Sequence, residues 1–145
     1  MSLTHEVAWA AGFFDGEGYV TIQHGYTKAK NGVKYPRHTL RIGINHVAIE
    51  PLLEMQRLFG GQIEKQKLES VHGNRKPRHR WVLNCSNAAE FLKRIMPYLK
   101  NKTKVAELGL ELQSTMQTTK QAVPESVLVY RALLKEKIQH LNSMD

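Results

Sequence analysis

The stretch GFFDGEGYV at residues 12–20 places two acids, Asp15 and Glu17, among three glycines. It lies where an apolar helical pattern gives way to strand-like alternation, and neither acid has a nearby base in the sequence to pair with. Carboxylate oxygens are the ligands that hard divalent cations take. Asp, Glu and Gly are also common at helix ends and in turns, so the pair taken alone indicates an ordinary helix terminus.

Other residue types exclude some kinds of site. The seven histidines show no metal-ligand spacing, which argues against a zinc site. The single cysteine, Cys85, excludes an internal disulfide and a cysteine-based zinc site, and it suits a reducing compartment.

The basic residues are segregated from the acidic ones. The 145-residue chain has a formal charge of +8, and no acid occurs between Glu17 and Glu50, at 70–89 or at 91–106. This separation indicates a positive surface for a polyanion, and the phosphate backbone of nucleic acid is the commonest candidate. The length and a hydrophobic fraction of 41% favour one compact domain.

The two acids end a predicted helix from Thr4, its N-cap, to Asp15. Trp9 and Phe13 form one of its apolar stripes. Another face has small side chains with little to bury, at Ala8, Ala11, Gly12 and Asp15. Because small residues let two helix backbones approach closely, this face predicts packing against another helix.

The remaining elements follow from apolar periodicity. Alternation predicts strands at 19–23, 37–46, 62–68 and 78–85, and helical spacing predicts helices at 49–59, around 91–95 with Ser86 or Asn87 as cap, at 103–116 and at 125–141. This order of a helix, two strands, a helix, two strands and further helices predicts an α+β domain with helices on one face of an antiparallel sheet. The free face would carry the arginines. In the last strand, Trp81 and Leu83 would point inward and Arg80 and Val82 outward.

Residues 9–18, WAAGFFDGEG, resemble the signature helix of the LAGLIDADG homing endonucleases, whose variants include AGFxDGEG. Nine positions align one by one, with Ala10 for leucine and Glu17 for aspartate. The resemblance implies an α+β fold with an αββαββα core, C-terminal helices and an antiparallel, saddle-shaped sheet that binds DNA. It implies one domain over 1–145, with the motif helix at about 4–17, the sheet and its helices at 18–96 and C-terminal helices at 97–145.

The resemblance also implies a metal ligand. In that family the last acid of each motif binds metal at the base of a pair of motif helices, which assigns this role to Glu17. An oxygen ligand at a helix–strand corner suits Mg²⁺, and Mn²⁺ or Ca²⁺ could replace it for binding. Asp15 corresponds to the motif's earlier acid, whose role is structural.

Two further catalytic residues are implied. Residues 97–104, PYLKNKTK, resemble the P-F-L-K-x-K-x-K segment of small single-motif members, whose middle lysine is a catalytic-site residue. This places Lys102 near the metal, although a solvated lysine is the alternative reading. A family glutamine aligns best with His46, or with Asn45 after a one-residue shift, although the residues alone favour reading His46 as a polar strand end without direct chemistry. The family's nearby arginine has no counterpart.

One motif copy is present, as in family members that act as homodimers. The resemblance therefore implies a dimer interface at Ala8, Ala11, Gly12 and Asp15. Because a two-fold dimer presents the same reading surface twice, its DNA site should be palindromic or nearly so.

The free face of the sheet could be plain solvent-exposed surface, but its long polar donors have no acid to balance them. Such a face can lie in the major groove, where Arg reads guanine, Gln reads adenine and Lys holds phosphate. The residues expected to contact DNA are Tyr19, Thr21, Gln23, Lys28, Lys30, Arg37, Thr39, Arg41, Arg75, Arg78, Arg80 and Val82.

The function implied is a sequence-specific double-strand homing endonuclease that hydrolyses phosphodiesters with Mg²⁺. Its partners would be double-stranded DNA and a second copy of the chain, with no small-molecule cofactor and no membrane. The resemblance implies intron homing, from a gene that is intron-encoded or free-standing. An RNA maturase that assists intron splicing and a non-cleaving DNA-binding relative are the alternatives. The sequence shows no leader pattern and no membrane-spanning apolar run, which predicts a soluble, intracellular protein.

Overall fold

The computed structural model describes residues 3–66, 77–116 and 122–144. Its elements in chain order are α1 (Leu3–Glu17), β1 (Gly18–Lys28), β2 (Lys34–His46), α2 (Glu50–Phe59), β3 (Gln62–Gln66), β4 (Arg78–Asn84), α3 (Cys85–Ile95), a 3-10 turn (Met96–Tyr98), α4 (Thr103–Ser114) and α5 (Glu125–Ser143). The predicted α+β order of one helix, two strands, a helix, two strands and further helices is confirmed.

The four strands form one antiparallel sheet in the order β1-β2-β4-β3. Strands β1 and β2 pair from Gly18↔Ile44 to Lys28↔Lys34. Both are longer than predicted, because β1 is exposed at every position from Gln23 to Lys28 and shows no apolar alternation there. The turn predicted at Asn31-Gly32 is present, with Gly32 at φ +84° and the Asn31 side chain accepting the N–H of Val33.

The helices cover one face of this sheet. Leu40, Ile42 and Ile44 of β2 are fully buried against them, as the alternation predicted. Trp81 is also fully buried, and its ring lies 5.2 Å from that of Phe91 on α3. The core therefore lies between the sheet and the helices, and the opposite face of the sheet, hereafter the outer face, is left uncovered by them.

Helix α3 follows β4 without a connecting loop, which corrects the predicted cap. Asn84, with extended backbone at φ −128° and ψ 155°, occupies the N-cap position, and its side chain makes no capping hydrogen bond. Ser86 and Asn87 lie inside the helix. Cys85 makes the sharp change of direction with a φ of +55°. Among the described residues, no helix is both long and apolar enough to cross a membrane.

Candidate functional site

The corner between α1 and β1 is tightly built. Glu17 ends α1 and Gly18 begins β1. A Cβ at Gly18 would lie 2.4 Å from Cδ2 and 2.6 Å from the carbonyl oxygen of Phe14, so a larger residue would force the helix and strand apart. Phe14 is fully buried, which anchors the corner in the core. Glu17 is exposed, so its carboxylate is accessible to a ligand at this point.

Asp15 fastens the segment before α4 to the end of α1. Its carboxylate accepts hydrogen bonds from the backbone N–H groups of Lys100, Asn101 and Lys102, with N···O distances of 3.0, 2.9 and 2.8 Å. Partial burial acts to raise the pKa of Asp15, but these hydrogen bonds and the charge of Lys102 outweigh it and lower the pKa below its usual value. The carboxylate is thus engaged within its own chain, and a place for Asp15 in a dimer interface stays a prediction.

Lys102 is held beside the same helix end. Its ammonium Nζ donates to the backbone carbonyl of Asp15 at 3.1 Å. The last carbonyls of a helix lack partners within it, and a cation there also interacts favourably with the helix dipole. The Lys102 ammonium is therefore bound at the end of α1, to the residue that precedes Glu17 by two positions.

His46 ends β2 close to this corner, because Ile44, two residues earlier, pairs with Gly18. Its Nδ1 accepts the N–H of Ala48 at 3.0 Å, and its ring meets the ring of Phe13 on α1 edge-on at 5.6 Å. Asn45 points to the opposite face of the sheet, where its side-chain oxygen accepts Nε–H of Arg80 at 2.9 Å. The two residues considered for one role thus lie on different sides of the sheet.

The outer face collects most of the residues predicted to contact DNA. Val20, Ile22 and Leu40 point into the core, and the residues that alternate with such positions share the opposite face. They are Tyr19, Thr21, Gln23, Arg37, Thr39, Arg41, Arg78 and Arg80. Asn84 and Cys85, which the sequence did not single out, line the same concave surface as Arg37 and Arg41.

An acid also lies on this face, contrary to the expectation that nothing balances its cations. Glu64 of β3 contacts Arg41 at 3.5 Å and Arg80 at 4.0 Å. The signal in the sequence was the alternation of β3, in which Ile63 packs against the core and Glu64 must point away from it.

The other four residues predicted to contact DNA are not among these exposed positions of the outer face. Val82 occupies the outer face by alternation but is only 4% exposed, which corrects its assignment as a DNA contact. By register, the Arg41–Glu64 pair passes over it. Lys28 and Lys30 are exposed at the end of the hairpin, and Lys28 comes off the strand on the side opposite to Gln23. Arg75 lies outside the described residues.

The small-residue face of α1 is rotated relative to the prediction. Ala11 is fully buried within the chain and so cannot contact a second copy. Ala8 is half-buried, and Gly12 is exposed with no atom of the described residues within 4 Å of the position a Cβ would occupy. Trp9 is 43% exposed and its ring lies 5.5 Å from that of Phe13. The open stripe of α1 is therefore made by Ala8, Trp9, Gly12 and Gly16.

Comparison with known proteins finds one family model and several solved structures that resemble this chain. A family model described as LAGLIDADG endonuclease matches residues 10–107, from the motif helix into α4. Among solved structures, the homing endonuclease I-CvuI in complex with its target and calcium is 23% identical, with a TM-score of 0.74 over 96% of this chain and 83% of that one. The archaeal intron-encoded homing endonuclease I-Vdi141I complexed with DNA is 14% identical, with a TM-score of 0.74 over 94% and 84%.

The meganuclease I-SmaMI bound to uncleavable DNA is 19% identical, with a TM-score of 0.70 over 90% of this chain but only 43% of its own. No match was found among curated protein sequences. The structural likenesses confirm the predicted fold class, and the family model covers well over half of the chain, including the motif, the sheet and Lys102. The chain belongs to the LAGLIDADG endonuclease family.

Proposed function

We propose that this chain is a homing endonuclease that works as a homodimer, cutting both strands of DNA at a long, nearly palindromic site with Mg²⁺. Family membership supports DNA endonuclease activity. One observation carries the proposal: the exposed Glu17 ends a helix to which Lys102 is also fixed, at the edge of a sheet whose outer face is rich in Arg.

The available ligands fit a hard cation shared between two chains. Among residues 3–66, 77–116 and 122–144, no group of three or more His, Cys, Asp or Glu side chains could hold a metal. Mg²⁺ is typically held by one or two carboxylates while waters and phosphate oxygens complete its octahedron. Glu17 from each copy would meet this need, and Mn²⁺ or Ca²⁺ could replace Mg²⁺ for binding. The bound ion would activate water and offset charge on the phosphate.

Lys102 would stabilise charge during cleavage. An ammonium has three N–H donors, and the Asp15 carbonyl takes one of them. The remaining donors are available to a phosphate oxygen or to an ordered water as negative charge develops. His46 would position water through Nε2, because its Nδ1 is engaged with the backbone of Ala48, 3.0 Å from the nitrogen and 3.3 Å from the carbonyl oxygen.

The open stripe of α1 would form the dimer interface. Gly12 and Gly16 leave room there, since neither has an atom of the described residues within 4 Å of a built Cβ. Small residues permit a close helix crossing, and Trp9 offers apolar area beside it. A two-fold axis through this crossing would bring the two Glu17 residues together and place two outer faces side by side, so the DNA site would be nearly palindromic.

The outer face would read base edges in the major groove. Arg37 and Gln23 are exposed there, and their side chains can make paired hydrogen bonds to guanine and adenine. The exposed Lys28 and Lys30 at the hairpin end would contact phosphates, which fix position without reading sequence.

The test is cleavage of a randomised duplex DNA library by the purified protein. We expect double-strand cutting at related sites with Mg²⁺, none with EDTA, and none by Glu17→Gln, which keeps the size of the side chain but removes the charged ligand. Glu90→Gln, on the exposed surface of α3, is the matched control and should cut like the wild type.

Duplex binding without metal-dependent cutting would refute the nuclease and favour a DNA-binding regulator. Selective binding of structured intron RNA, with no action on duplex DNA, would favour a maturase.

A further inference from the structure

Glu64 is an acidic residue on the Arg-rich outer face. It is the one acidic residue within the four described strands, and its carboxylate contacts arginines from two other strands. The Nη2 of Arg41 on β2 lies 3.5 Å from Oε2, and the Nη1 of Arg80 on β4 lies 4.0 Å from the same oxygen. One carboxylate oxygen thus links two guanidinium groups.

The contacts extend into a network across the sheet. Glu64 pairs in register with Arg80, which in turn pairs with Asn45, whose side chain accepts Nε–H of Arg80 at 2.9 Å. The side chains of Arg41 and Arg80 are 18% and 30% exposed, far less than that of a freely solvated arginine. Both guanidinium groups are therefore restrained on the surface that would meet DNA.

Stability does not account for this arrangement. Ion pairs at a solvated surface contribute little to folding, because solvent screens them and two long side chains lose rotamer freedom. On a surface facing phosphates, a carboxylate also repels the partner. An acid on the last strand of such a face, reaching in to two arginines, needs a reason connected with recognition.

We propose that Glu64 is a specificity-determining residue that holds Arg41 and Arg80 away from phosphates and oriented toward base edges. This inference rests on the proposed function, since it assumes that the outer face reads DNA. Glu64 uses only part of each guanidinium, which has five N–H donors, so donors remain for paired hydrogen bonds to guanine. Released from Glu64, either arginine could reach a phosphate on any sequence.

The consequence is a measurable change in salt dependence. Each phosphate neutralised by a cation releases counterions and steepens the slope of log K against log salt concentration by about 0.9. Releasing two arginines should therefore steepen that slope by about 1–2 per subunit and strengthen non-specific binding. Discrimination between target and unrelated DNA should fall, because the oriented hydrogen bonds to bases are loosened.

The experiment compares the wild type with Glu64→Gln and with Glu90→Gln, which removes the same charge from an ion pair with Lys93 on α3. Each protein selects duplexes from a randomised library in Ca²⁺, and its Kd is then measured for the selected duplex and an unrelated one at several salt concentrations. For Glu64→Gln we expect the ratio of the two Kd values to fall about 10-fold, as for one lost paired contact to a base. Glu90→Gln should match the wild type in this ratio and in salt slope.

A Glu64→Gln protein that matches Glu90→Gln in ratio and slope overturns the inference. So does weaker binding to the selected duplex with an unchanged salt slope, because Glu64 would then be contacting a base itself. If the wild type selects no duplex at all, the proposed function fails first, and that result is distinguishable because it appears before any variant is compared.

Discussion

Replacing Asp15 by Asn should destabilise the chain by loosening the segment before α4. The carboxylate accepts three backbone N–H groups, from Lys100, Asn101 and Lys102. An amide keeps one acceptor oxygen, turns an NH₂ group toward the remaining donors and loses the charge. Hydrogen bonds to charged groups contribute about 1.5–3 kcal/mol each in mutational series. Since Asp15 is partly exposed and the amide keeps one acceptor, we expect a total loss of about 2 kcal/mol.

The assay is urea and thermal unfolding at equal protein concentration, because dimerisation would couple stability to concentration. A loss of this size should lower Tm by about 4–8 °C for a chain of this length. The folded-state pKa of Asp15 lies below its usual value of 3.8, so the carboxylate's contribution is present above that pH and is lost as the pH falls through the folded pKa. The difference between wild type and variant should thus stay constant from about pH 5 to 7 and shrink in stronger acid.

Glu90→Gln is again the control, since it removes an exposed acid that makes no contact with the Asp15 cluster among the hydrogen bonds of the described residues. An Asp15→Asn protein as stable as this control at pH 7 would refute the reasoning. A stability difference that grows on acidification would refute it as well, because the sign of the pKa shift forbids that outcome.

Three further outcomes are expected. Gly12→Leu should fold, because a Cβ at Gly12 meets no atom of the described residues within 4 Å. The variant should nevertheless sediment as a monomer and lose DNA cleavage. An intact dimer would contradict the proposed interface. Gly18→Ala should lower the free energy of unfolding in urea by about 1–3 kcal/mol, because the added Cβ overlaps the ring and carbonyl of Phe14. An unchanged free energy of unfolding would contradict the close packing described for the α1–β1 corner. His38 is 6% exposed, and burial first, then neighbouring positive groups, lowers its pKa below 6.5. Its contribution to stability should be present above about pH 6.5 and lost as the pH falls, and His38→Phe should flatten that dependence in unfolding measurements at pH 5–8.

The sequence predicted the fold where apolar periodicity is continuous. Strand β2 shows this best, because Leu40, Ile42 and Ile44 alternate with polar residues and are all fully buried. The end of the β1–β2 hairpin, at 24–28 and 34–36, was missed because none of its side chains is buried, so no apolar period of two marks it. The cap of α3 was misplaced because the chain turns at Cys85 without a side-chain cap to announce the helix.

The sequence indicated candidate site residues but not the contacts between them. Local motifs indicated Glu17 and Lys102, yet the bond from Lys102 to the carbonyl of Asp15 joins residues 87 positions apart and has no local signature. The burial of Ala11 within its own chain has the same origin, since helical spacing shows which residues share a face but not whether the chain itself covers that face. Glu64 was overlooked because its partners are on β2 and β4.

The spacing of the two acids in the motif gives them different surroundings. Residues two apart on an α-helix point about 200° from each other, so Asp15 and Glu17 must face opposite sides of α1. Asp15 faces the chain's own interior segment and binds the N–H groups before α4, whereas Glu17 is exposed at the corner. The first acid thereby brings Lys102 to the helix end that presents the second. Moving either acid by one position would turn it by about 100° around the helix axis, and for Asp15 this would take the carboxylate away from the N–H groups that it binds.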